Sequence, residues 1–284
     1  MEALTEMRLR HIERMAEVIR ERVIEMLLEA GSGHSAGPLG MADIFAALYF
    51  HILKHDPKKP NWDERDRVVL SNGHICPVQY ATLSLAGYFP ESELKTLRKI
   101  DSRLQGHPHR ASVPGVETTS GPLGCGLSQA IGMALAARLD HKKHRIFCIA
   151  SDGEHDEGNH WEAVLFAAKM KLDNLTLIVD RNGIQIDGRT EKVLPLEPLR
   201  EKYEAHRWHA LEIDGNDIEA FVSAVVEAGT VREGPTVIIA KTVPGKGVSF
   251  MEGDYRWHGK APNREEAERA LHELKAIRDR LESD

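Results

Sequence analysis

The chain contains 284 residues, of which 42% are hydrophobic and 29% are charged, and its formal net charge is −7. These proportions are those of a globular protein and give no indication of disorder, while the negative charge argues against nucleic acid and anionic membranes as partners. Three cysteines are scattered without a metal-ligand spacing, and the N-terminus resembles neither a secretory signal nor a membrane span, so we expect a cytoplasmic protein.

Apolar residues recur at helical spacing near the N-terminus, from about residue 5 to Gly31 and again over residues 41–53. Beyond them, short β-branched runs alternate with helical patterns. The predicted strands are residues 67–70, 145–150, 175–180, 210–213 and 236–241, and the helices among them are residues 128–139, 160–170 and 217–229. This alternation predicts an α/β fold, a doubly wound and mostly parallel sheet flanked by helices.

No linker, repeat or low-complexity tract divides the sequence, so we predict a single domain over residues 1–284. It has helical extensions at both ends, N-terminal helices at about residues 5–54 and a C-terminal helix at about residues 263–281. The last helix carries a narrow apolar stripe that we expect to pack on the same domain; a contact with another chain is the alternative.

Oxygen ligands follow two neighbouring predicted strands. Asp152 comes directly after one strand, and Asn182 follows the next strand along the chain. Ligands of open parallel sheets sit at the carboxyl ends of the strands, and a hard divalent cation prefers carboxylate, amide and carbonyl oxygens. Asp152, Asn182 and the carbonyl of Ile184 are therefore candidate metal ligands. An Asp-Gly or Asn-Gly pair after a strand is more often an ordinary turn, so this signal alone is of moderate strength.

Several segments make the sequence more specific. They are SGH at 32–34 with GMAD at 40–43, LSNGH at 70–74, GHP at 106–108, TTSGPLG at 118–124 and WHG at 257–259. The Asp-Gly pair at 152–153 with the downstream Asn182 resembles the thiamine diphosphate signature. The order of the other segments resembles the transketolase family, and this resemblance extends from about Gly31 to Pro262.

The resemblance implies a thiamine diphosphate-binding fold with Mg²⁺ as the metal, Ca²⁺ or Mn²⁺ being alternatives. It implies metal binding by the same three ligands, Asp152, Asn182 and Ile184. The implied cofactor-binding residues are His74, Gly121, Pro122, Leu123, Asp152, Gly153, Glu154, Asn182, Ile184 and His258. The implied catalytic residues are His34, His74, His107, His258 and Glu157. Glu157 matches the family's interface glutamate, for which an exposed carboxylate near a helix start is the alternative.

The implied activity is transfer of a two-carbon ketol unit from a ketose or ketose phosphate to an aldose or aldose phosphate. The family's pyrimidine-binding domain, whose glutamate activates the cofactor, does not follow in the 284 residues. We therefore expect the N-terminal subunit of a two-chain transketolase. Together with a C-terminal subunit it would form an active α2β2 heterotetramer. Pentose phosphates are the default substrates, and a modified sugar is the alternative.

Two other functions stay open on the residues alone. One is the metal-binding subunit of a thiamine-dependent 2-oxo acid dehydrogenase, against which the histidine segments argue; the other is a non-catalytic binding module that has kept the fold. The sequence also departs from the family pattern at three places. Ser151 replaces a glycine, Gln105 replaces a proline, and the segment at 35–38 reads Ser-Ala-Gly-Pro after the first histidine.

Overall fold

A computed structural model describes residues 3–283 of the chain. Its core is a five-stranded parallel sheet in the order β1-β2-β3-β7-β6. The strands are β1 (Arg67–Leu70), β2 (Ile146–Ser151), β3 (Leu175–Arg181), β4 (Ile184–Gln185), β5 (Gly188–Arg189), β6 (His209–Asp214) and β7 (Thr236–Lys241). The five predicted parallel strands and the α/β fold are confirmed. The antiparallel pair β4–β5 is an addition, since strands of two residues leave no periodicity in the sequence.

The helices occupy both faces of the sheet. They are α1 (Glu6–Ala30), α2 (Ala36–Gly40), α3 (Ala42–Ala47), α4 (Cys76–Leu85), α5 (Cys125–Leu139), α6 (Gly158–Lys169), α7 (Thr190–Val193), α8 (Leu199–Ala205), α9 (Ile218–Ala228) and α10 (Arg264–Ser283). The helical pattern over 41–53 divides into α3 and a π-helical turn, Leu48–Ile52. Among the helices within residues 3–283, none has both the length and the apolar character needed to cross a bilayer.

Side chains of β2 alternate between two apolar layers, because successive residues of a strand point to opposite faces. Phe147 and Ile149 belong to the layer formed with the N-terminal helices, α9 and α10. Cys148 and Ala150 belong to the layer formed with α5, α6 and α8. Burial on both faces explains why β2 reads as a continuous apolar run, as does β3.

The terminal helices pack along one another. The Thr5 hydroxyl caps the start of α1 by accepting from the backbone N–H of Arg8, and Gly31 ends the helix at a φ of 64°. Ala267, Ala270 and Leu274 of α10 are fully buried. The apolar stripe of α10 thus packs on its own chain, as expected from the sequence.

Candidate active site

Asp152 follows directly after β2 and has no solvent-exposed surface. Its carboxylate accepts hydrogen bonds from the backbone N–H groups of Gly153 (2.8 Å) and Gly183 (2.7 Å) and pairs with the Arg181 guanidinium at 2.9 Å. Burial raises the pKa of Asp152 to about 6, while Arg181 and the two N–H groups act in the opposite direction. A further cation at this carboxylate would stabilise its ionised form, because burial is what disfavours that form.

The loop after β3 brings the two other candidate metal ligands next to Asp152. The Asn182 side chain accepts from the backbone N–H of Ile184 at 3.0 Å and donates to the carboxylate of Asp180 at 2.9 Å. Gly183, between the two candidates, has a φ of 74°, which glycine adopts without strain. Burial raises the pKa of Asp180 to about 7, and the Asp152 carboxylate adds to that rise. Two buried carboxylates therefore lie at this edge of the sheet.

The donor set fits a hard divalent cation that also binds phosphate. Within residues 3–283, no three His, Cys, Asp or Glu side chains converge as a preformed metal cage. One carboxylate, one amide oxygen and one backbone carbonyl form only part of an oxygen shell. Such a shell suits Mg²⁺, which keeps water and takes phosphate oxygens as its remaining ligands.

Glu154 is fully buried and connects three loops of the site. Its carboxylate accepts hydrogen bonds from the Ser71 hydroxyl, from the backbone N–H of Gly124 at 2.6 Å and from that of Ser151 at 3.2 Å. The side chain is thus engaged within the chain itself. It positions the loops that follow β1 and β2 against the start of α5, which is a role that the sequence pattern did not reveal.

Three of the four candidate histidines lie together. The ring centroids of His34 and His74 are 4.8 Å apart, and those of His34 and His258 and of His74 and His258 are separated by 5.4 Å and 5.2 Å. Burial is the largest cause that lowers the pKa of each ring, to about 4 for His34 and well below the usual value for His74. The three imidazoles are therefore neutral near pH 7, and each offers one donor and one acceptor nitrogen.

Several polar atoms of this histidine cluster are buried without a hydrogen-bond partner. They include Nδ1 of His34, Nδ1 of His258 and both amide atoms of Asn72, none of which is paired with another described residue. Unpaired buried polar groups are costly to a fold unless a ligand satisfies them. Asn72 carries this signal although it was not a candidate, because an asparagine beside glycine is commonly read as a turn residue.

His107 faces the cluster from a separate loop, next to the glycine-rich segment at 118–124. A Cβ atom on Gly121 would lie 3.8 Å from Cδ2 of His107, and one on Gly73 would lie 2.9 Å from Cβ of Ser120. Glycine at Gly73 thus lets the loop of His74 approach this segment closely, whereas at Gly121 the spacing is ordinary van der Waals contact and the φ of 147° is what favours glycine. Pro122 and Leu123, also cofactor-binding candidates, are exposed there.

Ser35 gives a structural reason for one departure from the family pattern. Its hydroxyl lies 2.8 Å from the carbonyl oxygen of Lys260 and 3.1 Å from that of Trp257, two carbonyls that flank His258. The serine therefore ties the loop of His34 to the loop of His258. Its side chain is fully buried, and it contributes to the geometry of the histidine cluster through these backbone contacts.

Glu157 stands apart from the candidate metal ligands. Glu157 is exposed at the start of α6. A Cβ atom placed on Gly124 would lie 2.9 Å from the Cβ of Glu157. Apolar side chains are exposed on α6 and on the segment before α5, including Leu123 (37%), Leu165 (57%) and Phe166 (44%). This combination is typical of a surface that contacts another protein.

The sequence profile described as "Transketolase, thiamine diphosphate binding domain" matches residues 12–276. The chain belongs to the transketolase family. It is similar to the 6-deoxy-6-sulfo-D-fructose transketolase subunit SqwG of Clostridium sp. (strain MSTE9), with 43% identity over 93% of this chain and 96% of the relative. It is also similar to an apulose-4-phosphate transketolase subunit of Phocaeicola vulgatus, with 37% identity over 98% of this chain and 99% of the relative.

Longer transketolases match over only part of their length. Transketolase 2 of Escherichia coli is 39% identical over 92% of this chain, a match that takes up 41% of that protein. The crystal structure of transketolase from Campylobacter jejuni superposes with a TM-score of 0.88 at 34% identity and covers 98% of this chain and 46% of that one. This chain therefore spans nearly the full length of relatives named as subunits, but less than half of the longer enzymes.

These comparisons confirm the family and the thiamine diphosphate-binding fold that the sequence motifs predicted. They favour an enzyme of ketol transfer over the alternative 2-oxo acid dehydrogenase, since each of these relatives is a transketolase or one of its subunits. The roles of individual residues stay predictions.

Proposed function

We propose that this chain is the thiamine diphosphate- and metal-binding subunit of a two-chain transketolase, active only with a second chain that carries the pyrimidine-binding domain. One observation carries the proposal: the loops after β1, β2 and β3 leave the same edge of the parallel sheet, the first carrying His74 of the neutral histidine cluster and the other two the incomplete oxygen-ligand set. The near-complete coverage of relatives named as subunits supports the need for a partner.

Asp152, Asn182 and the carbonyl of Ile184 would hold Mg²⁺, which in turn would bind the diphosphate of the cofactor. Gly153 would allow close approach of the backbone, and His74 and His258 would be further contacts of the cofactor. The segment at 121–123 would face the aminopyrimidine ring. Thiamine diphosphate supplies the electron sink through which the carbon–carbon bond of the ketose breaks and forms.

The histidines would handle protons and orient hydroxyl groups. Neutral His34, His74 and His258 can donate to a sugar oxygen from one ring nitrogen and accept from a hydroxyl with the other. The unpaired Nδ1 atoms of His34 and His258 are available for such bonds. His107, which is exposed at the outer side of the cluster, would be a further positioned acid or base for the sugar.

The assembly we propose is a heterotetramer of two such chains and two partner chains, in the cytoplasm. The outer face of α5 supports contact between two copies of this chain. This helix is mostly apolar, and Gly132, Ala136 and Leu139 are exposed on it beside the polar Ser128, Gln129 and Arg138. Exposed apolar residues grouped in this way, with polar neighbours, are typical of a surface that contacts another protein. Glu157 adjoins this face and would lie at the contact between the two copies.

The substrates would be sugars or sugar phosphates, and the relatives named above include subunits for a sulfonated sugar and for apulose 4-phosphate. Testing begins with the chain alone, which should bind thiamine diphosphate in the presence of Mg²⁺ by calorimetry. It should give no ketol transfer from β-hydroxypyruvate to an aldose. Addition of the partner that co-purifies from the native source should restore transfer. Substantial transfer by the chain alone would contradict the need for a partner.

His107→Ala separates an enzyme from a binding module. In the reconstituted complex, the variant should retain cofactor binding and lose about 100-fold or more in turnover, the usual contribution of a positioned acid or base. Unchanged turnover would favour a non-catalytic role for this chain. Decarboxylation of pyruvate without ketol transfer would favour the dehydrogenase instead.

A further inference from the structure

A chain of buried hydrogen bonds runs behind the loop that carries Asp152. One ring nitrogen of His155, Nδ1, lies 2.8 Å from the carbonyl oxygen of Ser151, and the other, Nε2, lies 2.7 Å from the Tyr203 hydroxyl. The same hydroxyl lies 2.8 Å from Nε2 of His160. The side chains of these two histidines and of Tyr203 are at most 2% exposed, so the bonds form away from solvent.

The carbonyl at one end of the chain determines where its protons lie. Burial lowers the pKa of His155 to about 4 and that of His160 well below its usual value, so each ring is neutral near pH 7 and has one N–H. Because a carbonyl oxygen only accepts, the proton of His155 is on Nδ1. Its Nε2 therefore accepts from the Tyr203 hydroxyl, whose oxygen in turn accepts from Nε2–H of His160.

The opposite direction of donation does not fit the atoms at either end. It would place a lone pair of His155 against the Ser151 carbonyl oxygen, and it would put the proton of His160 on Nδ1. That nitrogen is buried without a hydrogen-bond partner among the described residues. A buried N–H without an acceptor is rare in folded proteins. Each of the two rings therefore has a single tautomer, and Tyr203 connects them.

His155 holds the backbone on both sides of Asp152. Its ring donates to the carbonyl of Ser151, and its backbone N–H donates to the carbonyl of Asp152 at 3.0 Å. The indole N–H of Trp161 donates to the carbonyl of His155 at 2.8 Å, which anchors that residue to α6. One residue thus fixes both peptide units that flank the Cα atom of Asp152, and these peptide units set the direction of the Asp152 side chain.

Filling the space between α6 and α8 does not require this chain, because apolar side chains of similar volume pack there without polar atoms to satisfy. What a connected buried network adds is a fixed geometry. Metal affinity is sensitive to such geometry: groups that orient the ligands from outside the coordination shell contribute about 10- to 100-fold to it.

We propose that the hydrogen-bond chain of His155, Tyr203 and His160 positions the Asp152 carboxylate for the divalent metal, so that His155 and Tyr203 are positioning residues for cofactor binding. The inference rests on the proposed function, since it takes Asp152 as the metal ligand. None of the three side chains belongs to a sequence motif or to the candidate ligands. The chain acts through its geometry and transfers no proton.

The first test is the affinity of the full chain for thiamine diphosphate at fixed Mg²⁺, measured by calorimetry. Tyr203→Phe removes only the hydroxyl and should weaken binding by about tenfold, the lower end of the loss usual for groups that orient metal ligands. His155→Leu should weaken it at least as much. His155→Asn, which keeps an N–H near the place of Nδ1, should recover part of the loss.

Tyr88→Phe is the matched control and should leave the affinity unchanged. The Tyr88 hydroxyl also lies beside a histidine nitrogen, Nδ1 of His55 at 3.1 Å, but in the other apolar layer. Equal weakening by Tyr88→Phe would assign the effect to general stability and overturn the inference. Wild-type affinity in Tyr203→Phe would also overturn it, and this variant decides the test even where His155→Leu fails to fold.

A second measurement needs no cofactor. Long-range ¹H–¹⁵N correlation spectra of the full chain should show the proton of His155 on Nδ1 and that of His160 on Nε2. Tyr203→Phe should leave His160 in a mixture of tautomers, because its Nε2–H loses its acceptor. The reverse assignment in the wild type would overturn the inference, whatever the affinities. Failure of the wild type to bind thiamine diphosphate with Mg²⁺ would count against the proposed function, separately from the tautomers.

Discussion

The carboxylate of Asp152 is both buried and paired with a cation that other carboxylates share. It is fully buried, its pKa is raised to about 6 by burial, and its protein cation, Arg181, is shared with Glu191 and Glu197. A divalent cation would therefore compete for a carboxylate whose existing partner has two other carboxylates to bind. Arg181 thus pairs with the buried carboxylate in the folded chain without being committed to it alone.

Asp152→Asn should weaken Mg²⁺-dependent binding of thiamine diphosphate by about 100-fold or more, because the substitution removes the only charged candidate ligand of the metal. Calorimetric titration of the isolated chain with the cofactor at fixed Mg²⁺ measures the effect. Asp156→Asn is the matched control, since Asp156 is an exposed carboxylate in the same turn. Wild-type affinity in Asp152→Asn would remove Asp152 from the metal site.

At the level of single residues, the sequence motifs indicated which side chains were candidates but not which distant groups they contact. The motifs singled out His34, His74 and His258, and the three rings do lie together. No motif indicated that the Glu154 carboxylate would accept hydrogen bonds from Ser71 and two backbone N–H groups. Ser71 and Gly124 lie 83 and 30 positions away from Glu154, and contacts at such separations leave no periodic signal, so only the folded chain identifies them.

Helix α5 contains two glycines, Gly126 and Gly132, that lie in different surroundings. Near its start, Gly126 is buried, and its backbone N–H donates to the Ser71 hydroxyl at 3.0 Å. A Cβ there would lie 2.3 Å from Cβ of Ser71. Two turns later, Gly132 is exposed, and a Cβ there would meet no atom within 4 Å. The same residue type therefore serves close packing at one end and an open face at the other.

The same substitution at these two glycines should have opposite effects on the isolated chain. Gly126→Ala should lower the free energy of unfolding by about 1–3 kcal/mol, because the helix must move away from the loop after β1. Gly132→Ala should raise it by roughly 0.5–1 kcal/mol through helix propensity. Urea unfolding of both variants checks the pair, with each serving as the control for the other. A stabilised Gly126→Ala would show that α5 is free to shift.

The buried side chain of His155 makes the stability of the folded chain depend on pH. His155 is buried on the far side of the Asp152 loop, where one ring nitrogen lies 2.8 Å from the carbonyl of Ser151 and the other 2.7 Å from the Tyr203 hydroxyl. Burial lowers the pKa of His155 to about 4, below its usual value of 6.5. Its contribution to stability is therefore present above pH 6.5 and is lost as the pH falls toward 4.

His155→Gln should remove that dependence. Between pH 7.5 and pH 5, the free energy of unfolding of the wild type should therefore fall by about 2 kcal/mol relative to that of the variant. The raised pKa values of Asp152 and Asp180 act in the opposite direction in both proteins, so they largely cancel in the difference. Urea unfolding at the two pH values provides the measurement, and His272→Gln, at an exposed position, is the control. Parallel pH profiles of wild type and His155→Gln would contradict the prediction.

The sequence by itself determined the sheet, the family and the set of candidate site residues. Hydrophobic periodicity and strand-end motifs depend on neighbours in the chain, so they can be read without coordinates. Only the tertiary structure decided that Ser35 ties two histidine loops together and that the Glu154 carboxylate accepts its hydrogen bonds from the protein itself. Each of these facts depends on which distant segments meet when the two apolar layers close on the sheet, and burial is a property of that packing.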